Sequence, residues 1–299
     1  MSRSLVLRPS AKINLTLRVG PARADGFHDV RSVMQSIALS DTLTLSTRKG
    51  PFVLATRAPG VPADRTNLVW RAAEVLWRAL RRPGDPSDTH VKLEKQIPSA
   101  AGLGGGSADA AAALAGLNRL WGGKLSQRDL IRLAAELGSD VPFFLLGGTA
   151  LAAGRGEELY PLADVPRLGV VIIKPSFGVQ TAEAYRWLDE DRAAETASSG
   201  PAPAELEVGW PQATVSLVND LEPPVARRHP GIQEIVKACR EAGALGAAMT
   251  GSGSAVFAIF PESAGQRAVR RLKLLNRSDW LVLLTRTLSR REAGRRVGL

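Results

Sequence analysis

Residues 98–109 read Pro98-Ser99-Ala100-Ala101-Gly102-Leu103-Gly104-Gly105-Gly106-Ser107-Ala108-Asp109 and run straight into the alanine-rich stretch Ala110–Leu114. A strand enters, four glycines fall within six residues, and a helix leaves. Glycine costs helices and strands backbone entropy, so such a cluster needs a reason. Close approach of backbone N–H groups to an anion at a helix N-terminus supplies one, because the unpaired amides and the helix dipole both favour negative charge there. A Walker A loop needs a lysine after its glycines, and none follows here. The dinucleotide fingerprint needs a third glycine where Ser107 stands. The plain alternative is a flexible turn before a helix.

Outward from this loop, the first 60 residues read as strands at Ser4–Arg8, Ile13–Val19, Val30–Leu39 and Thr42–Thr47. Asn67 caps a helix whose apolar positions Leu68, Ala72, Val75, Leu76 and Leu80 keep the 3.6 period. Val91, Leu93 and Ile97 form the strand that enters the loop, and Ala108–Leu120 the helix that leaves it. Ser126 and Asp129 make a capping-box pair for the next helix, which stops at Gly138. Strands follow around Ala150 and at Leu168–Lys174, and the Ala/Ser/Pro/acid-rich run Asp189–Glu207 reads as a loop or linker. The end reads helix Ile232–Ala242, strand Ala244–Thr250, turn Gly251–Gly253, strand Ala255–Phe260, helix Ser263–Leu275 and strand Leu281–Arg286. Strands and helices so arranged predict an α+β protein of two domains, 1–162 and 163–299.

Composition narrows the class. With 44% hydrophobic and 23% charged residues the chain is globular in type, and no apolar run reaches membrane-helix length. Cys239 is the only cysteine and there are three histidines, so neither a disulfide framework nor a zinc site is expected. The N-terminal run MSRSLVLRPSAKINL is too short in apolar residues for a secretory signal, and a cytoplasmic location is the expectation. The net charge is +10, but Arg267–Leu299 holds ten Lys/Arg against two acids, +8 of that total. The basic character therefore belongs to one end, read as a solvated helix face and frayed tail; an RNA-binding role is the rival reading.

Three further segments bear on the loop. Ser10-Ala11-Lys12-Ile13-Asn14-Leu15 starts a strand with one lysine among apolar neighbours; Gly138-Ser139-Asp140-Val141-Pro142 sets an aspartate in a tight turn; Met249-Thr250-Gly251-Ser252-Gly253-Ser254 is a further glycine turn. Singly these fit a snorkelling lysine, a turn carboxylate and a hairpin. Together, in this order, they resemble the signature of the GHMP small-molecule kinases. Arg23-Ala24-Asp25-Gly26-Phe27-His28 and Thr66-Asn67-Leu68-Val69 extend the resemblance, which runs from about Leu7 to Phe260.

The resemblance implies a fold with an N-terminal domain like ribosomal protein S5 domain 2 and a ferredoxin-like C-terminal domain, with the site between them. It implies an ATP-dependent kinase for an alcohol, with Mg²⁺ accompanying ATP. Asp140 would be the catalytic base and Lys12 its partner, an ammonium placed to stabilise charge on the incoming oxygen. Pro98–Ala108 would hold the ATP phosphates, Asn67 and Lys95 would lie near the nucleotide, and Ser107 on the metal side. The Asp25-Gly26-Phe27-His28 segment further implies a small-molecule substrate, cytidine diphosphate-linked methylerythritol, phosphorylated on its 2-hydroxyl. Asn14, Phe27, His28, Thr181 and Tyr185 would meet its cytidine end and Gly251, Ser252 and Gly253 its diphosphate. Phe27 stands where the family usually has tyrosine, so a ring remains to stack but a phenol oxygen is lost. A kinase of the mevalonate or homoserine type would need the glycine loop but neither the histidine nor the second aromatic.

Overall fold

The computed structural model describes residues 4–196, 217–275 and 279–299. The first half opens with β1 (Ser4–Leu7), β2 (Ser10–Ala22), β3 (His28–Ser40), β4 (Thr42–Pro51) and β5 (Val53–Thr56). Then come α1 (Leu68–Ala79), β6 (Ser87–Glu94), α2 (Gly105–Leu120), α3 (Gln127–Leu137), α4 (Val141–Leu146), β7 (Thr149–Ala153) and β8 (Glu158–Pro161). The second half holds β9 (Leu168–Lys174), α5 (Thr181–Thr196), β10 (Val218–Asn219), α6 (Glu222–Arg228), α7 (Gly231–Glu241), β11 (Gly246–Met249) and β12 (Val256–Pro261). A 3-10 turn at Glu262–Ala264 leads into α8 (Gly265–Leu275), β13 (Leu281–Arg286) and α9 (Arg290–Val297). The α+β class expected from the sequence is what the chain adopts.

Three sheets carry these elements, with strand orders β1-β4-β6-β5, β10-β2-β3-β7-β8 and β11-β12-β9-β13. The alanines of α2 let this helix lie deep between α1, α3, α4 and the first sheet, where every residue from Ala108 to Asn118 is buried. Contact is so close at Gly116 that a Cβ there would lie 2.4 Å from a Leu45 methyl. The second and third sheets meet through an apolar layer in which Ile13, Leu15, Val33 and Ile37 face Ile172, Phe257 and Ile259. The functional loops all emerge along the edge of that layer.

Local signals fix several boundaries. Asn67 Oδ1 accepts the Val69 N–H at 2.9 Å, and Ser126 with Asp129 forms a full capping box. Two expectations are corrected. Residues 189–196 continue α5 instead of forming a loop, with Asp191 and Glu190 held by Arg227 and Arg228 of α6; positions 197–207 lie outside the described residues. The basic C-terminal end is no frayed tail. Ser289 and Glu292 cap α9, whose Ala293 and Val297 are buried against the first half. Arg290 Nη2 donates to the carbonyls of Thr149 and Leu162, and Arg296 Nη1 to that of Ala38, so these cations serve main-chain acceptors.

Besides the third sheet, two segments from beyond residue 162 pack on what precedes it. One is α9, and the other is β10, which pairs in parallel with β2. No helix among the described residues is long and apolar enough to cross a membrane.

Candidate active site

Three backbone loops interlock at the centre. The first is the glycine-rich loop, which ends where Gly104, at φ 71°, caps α2 without a side chain. The first helical hydrogen bond is Ala108 N–H to Gly104 O at 2.9 Å, so the amides of Gly105, Gly106 and Ser107 precede the helical ladder and face an anion position. The second is the turn after β11. A Cβ on Gly102 would lie 2.0 Å from the Thr250 carbonyl oxygen, and one on Gly251 would lie 3.0 Å from the Gly102 carbonyl oxygen. Only glycine allows this back-to-back approach, at φ +72° and +56°. Asn219 Nδ2 pins the turn from below by donating to the carbonyls of Met249 and Gly251, each at 2.8 Å. The third is the start of β2, where Lys12 N–H donates to Leu103 O at 3.0 Å.

Lys12 is 4% exposed, yet its ammonium reaches the cavity. Nζ donates to Asn14 Oδ1 at 2.6 Å and stands 3.7 Å from Asp140 Oδ2. Asn14 is itself fixed, since its Nδ2 donates to Ser32 Oγ at 2.7 Å while Thr250 Oγ1 donates to its Oδ1 at 3.2 Å. Asp140 sits at the N-terminus of α4 without a side-chain cap bond, its carboxylate 41% exposed. The apolar Val141, Phe143 and Phe144 of α4 sink into the core and hold that carboxylate outward. A buried ammonium, a carboxylate open to the cavity, and helix amides beside them are the parts a phosphoryl transfer to an alcohol needs.

Behind the glycine loop lies an ion triad. Lys95 Nζ pairs with Asp41 and, at 2.7 Å, with Asp109 Oδ2, while Asp41 Oδ1 accepts the amides of Gln96 and Ile97. The triad therefore joins the strand that enters the loop to the helix that leaves it. Burial lowers the pKa of Lys95, but Asp109 and Asp41 outweigh it and the net direction is up. Burial pushes the Asp109 carboxyl up to about 8 against the opposing pull of Lys95, and its Oδ1 has no hydrogen-bond partner.

One cavity of about 520 Å³ gathers most of the sequence-predicted residues: Lys12, Asn14, Asn67, Lys95, Pro98–Ser107, Asp140, Thr181, Tyr185 and Gly251–Gly253. Some are placed with a difference. Asn67 spends both side-chain atoms locally, on Val69 N and Pro62 O. Ala108 lies fully buried behind the wall. Phe27 and His28 also stand off it. Phe27 is 52% exposed, with the Arg155 guanidinium 5.3 Å from its ring centroid. His28 is buried, its Nε2 2.9 Å from Asp189 Oδ1 and its ring 5.0 Å from that of Tyr185. Burial first, then the charge of Asp140, push the Tyr185 phenol up to about 12. Thr181 Oγ1 and Ser252 Oγ, 3.1 Å apart, join α5 to the glycine turn.

Sequence reasoning missed Ser32, Asp41, Thr250 and Arg155. The first three are polar residues on strands or strand ends, with no local signal of partners far along the chain. Asp109 was present in the opening stretch, one helical turn after Gly105, and that spacing alone would have turned it under the loop.

The family models that match are the GHMP kinases N terminal domain, over residues 67–148, and the GHMP kinases C terminal domain, over residues 211–276. A 4-diphosphocytidyl-2-C-methyl-D-erythritol kinase of Pelotomaculum thermopropionicum is 46% identical over 94% of this chain and 97% of its own. A crystal structure of 4-(cytidine 5'-diphospho)-2C-methyl-D-erythritol kinase superposes with a TM-score of 0.73 at 32% identity, covering 97% of this chain and 100% of that one. Homoserine kinase from Cytophaga hutchinsonii shares the fold with a TM-score of 0.67 at 20% identity, over 96% of this chain and 95% of that one.

Proposed function

The chain belongs to the GHMP kinases, in the family of the 4-diphosphocytidyl-2-C-methyl-D-erythritol kinases, and on that premise we propose that it transfers the γ-phosphoryl group of ATP to the 2-hydroxyl of 4-(cytidine 5'-diphospho)-2-C-methyl-D-erythritol. The carrying observation is the Lys12–Asp140 pair, set 3.7 Å apart at the cavity wall beside the N-terminus of α2. The amides of Gly105, Gly106 and Ser107 receive the ATP phosphates, and the helix dipole adds to their pull. Asp140 accepts the proton of the substrate hydroxyl as its oxygen bonds to the γ-phosphorus and the bond to the bridging oxygen of ADP breaks. Lys12, held by Asn14, stabilises the negative charge that gathers on the transferring group. Its geometry is fixed before substrate arrives, so little reorganisation opposes the step.

Mg²⁺ bound with ATP would neutralise phosphate charge. The residues present fit a metal carried mainly by the nucleotide, because the cavity wall offers Asp140 and the Ser107 hydroxyl while Asp109 is committed to Lys95. Substrate-end residues Tyr185, Thr181 and Gly251–Gly253 receive the cytidine diphosphate part. A cytoplasmic setting agrees with a single, buried, free thiol at Cys239.

ATP-dependent phosphate transfer by the wild type and Asp140→Ala, with the cytidylyl substrate beside mevalonate and homoserine, tests the reading. Turnover restricted to the cytidylyl substrate and reduced by about 10³-fold or more in Asp140→Ala is expected. Preference for another alcohol would refute the substrate, and an active Asp140→Ala would refute the base.

A further inference from the structure

The cations of the basic end do not share one fate. Arg286, Arg290 and Arg296 turn inward, onto Glu292 and onto the carbonyls of Thr287, Thr149, Leu162 and Ala38. Arg267, Arg270, Arg271 and Lys273 of α8 are exposed, and none has a hydrogen-bond or ion-pair partner among the described residues. The helix itself carries no acid. Glu262, just before it, accepts from Arg167 Nε at 2.6 Å, and Glu241 of α7, on which α8 packs, stands 4.0 Å from Lys237. The i, i+3, i+4, i+7 spacing sets Arg267, Arg270, Arg271 and Leu274 in one stripe, away from the Ala268 and Leu272 that enter the core. Leu274 is 86% exposed, more than any other large apolar side chain among the described residues. A leucine held out in the middle of a cationic stripe has no use for water.

We infer that this face of α8 docks the protein on an anionic lipid surface, with the four cations among the lipid phosphates and Leu274 in the headgroup boundary. The charge is complementary, since a lipid surface of negative potential attracts each exposed Lys or Arg. The leucine selects lipid over other polyanions. A nucleic acid offers phosphates to the cations but nothing to Leu274, and no aromatic stands in the stripe to stack on a base. The boundary between headgroups and acyl chains takes both kinds of side chain at once. Because the apolar side of α8 is already buried in the second half, the contact is mainly electrostatic and reversible. No residue of α8 lines the cavity, so docking leaves the site open. The inference goes beyond the proposed function and does not depend on it.

The test is co-sedimentation of the full chain with vesicles of phosphatidylcholine alone and of phosphatidylcholine with about one-third phosphatidylglycerol. Binding is expected only to the mixed vesicles, and it should weaken steeply as salt rises from about 0.1 to 0.5 M. Each cation removed should weaken it by about fivefold, so Arg270→Gln with Arg271→Gln should lose about 25-fold. Arg270→Lys with Arg271→Lys keeps both charges and should stay within about threefold. Leu274→Ser should weaken vesicle binding by about 3- to 10-fold for a partly buried leucine, with no change in retention by double-stranded RNA. All of these positions are exposed, and an unchanged melting temperature in each variant is the control for folding. No sedimentation with the mixed vesicles, equal sedimentation with the neutral ones, or binding indifferent to the arginines would overturn the inference. Tighter binding to the RNA than to the mixed vesicles, with Leu274→Ser silent in both, would overturn it in favour of a nucleic-acid partner.

Discussion

The two ends of the cavity are built from different material. The phosphate end is made of backbone: helix amides, glycines at positive φ, and two loops touching through main-chain atoms. The other side is made of side chains: Thr181 and Tyr185 of α5 line it, while the exposed Phe27 stands off the wall under the Arg155 guanidinium. Backbone recognition asks only that an anion be present, while side chains can be exchanged one at a time.

The sharpest way to break the comparison is a methyl group at each end. Gly102→Ala places its Cβ 2.0 Å from the Thr250 carbonyl oxygen at φ +72°, and both loops must separate. A loss of about 3 kcal/mol or more in urea unfolding is expected. Gly26→Ala, before Phe27, has φ +80° but nothing within 4 Å of a Cβ, so its loss should be only about 1 kcal/mol. Equal losses would mean that the phosphate end is no more tightly determined than the other.

A smaller effect concerns pH. Burial pushes the Asp109 carboxyl up to about 8 in the folded chain, against the pull of Lys95 and above its ordinary value of 3.8. Between those values the unfolded chain binds fewer protons than the folded one, so stability falls as pH rises through that window and is fully present below it. Thermal or urea unfolding across the window should show a decline of at most about 1.4 kcal/mol per pH unit. Asp109→Asn, which cannot titrate, should flatten it; a variant with the wild-type slope would place its origin elsewhere.

The smallest change is expected from Tyr185→Phe. Because the phenol is pushed up to about 12, it stays neutral over about pH 6 to 9. The variant should keep the shape of the pH–rate profile and lose no more than about threefold in kcat/KM if the ring supplies the contact. A shifted profile would give the phenol a part in the proton transfer.

How far the sequence foretold this arrangement depended on distance along the chain. Caps at Asn67 and Ser126 were legible because each acts within three residues. The start of α2 was expected at Ala108 and lies at Gly105, since glycines read as breakers although a first helical turn demands no side chain there. Helix α9 was hidden by its arginines, whose partners are carbonyls far earlier in the chain. Lys12, Asp140 and the glycine turns were found as motifs. Arg155 over Phe27 was not, because a pair made by strand pairing leaves no local pattern.

The seating of α9 has a further consequence, for the order in which the protein acquires its shape. Arg8 N–H donates to the Arg296 carbonyl at 2.8 Å, so the beginning of β2's sheet region is closed by a helix made almost three hundred residues' synthesis later. The β10–β2 pairing adds a second late arrival. Such separations carry the large loop-closure cost of non-local topology and slow the search for the native state. During translation the surface on α2 and α4 that receives α9 therefore stays open until the basic end has been made.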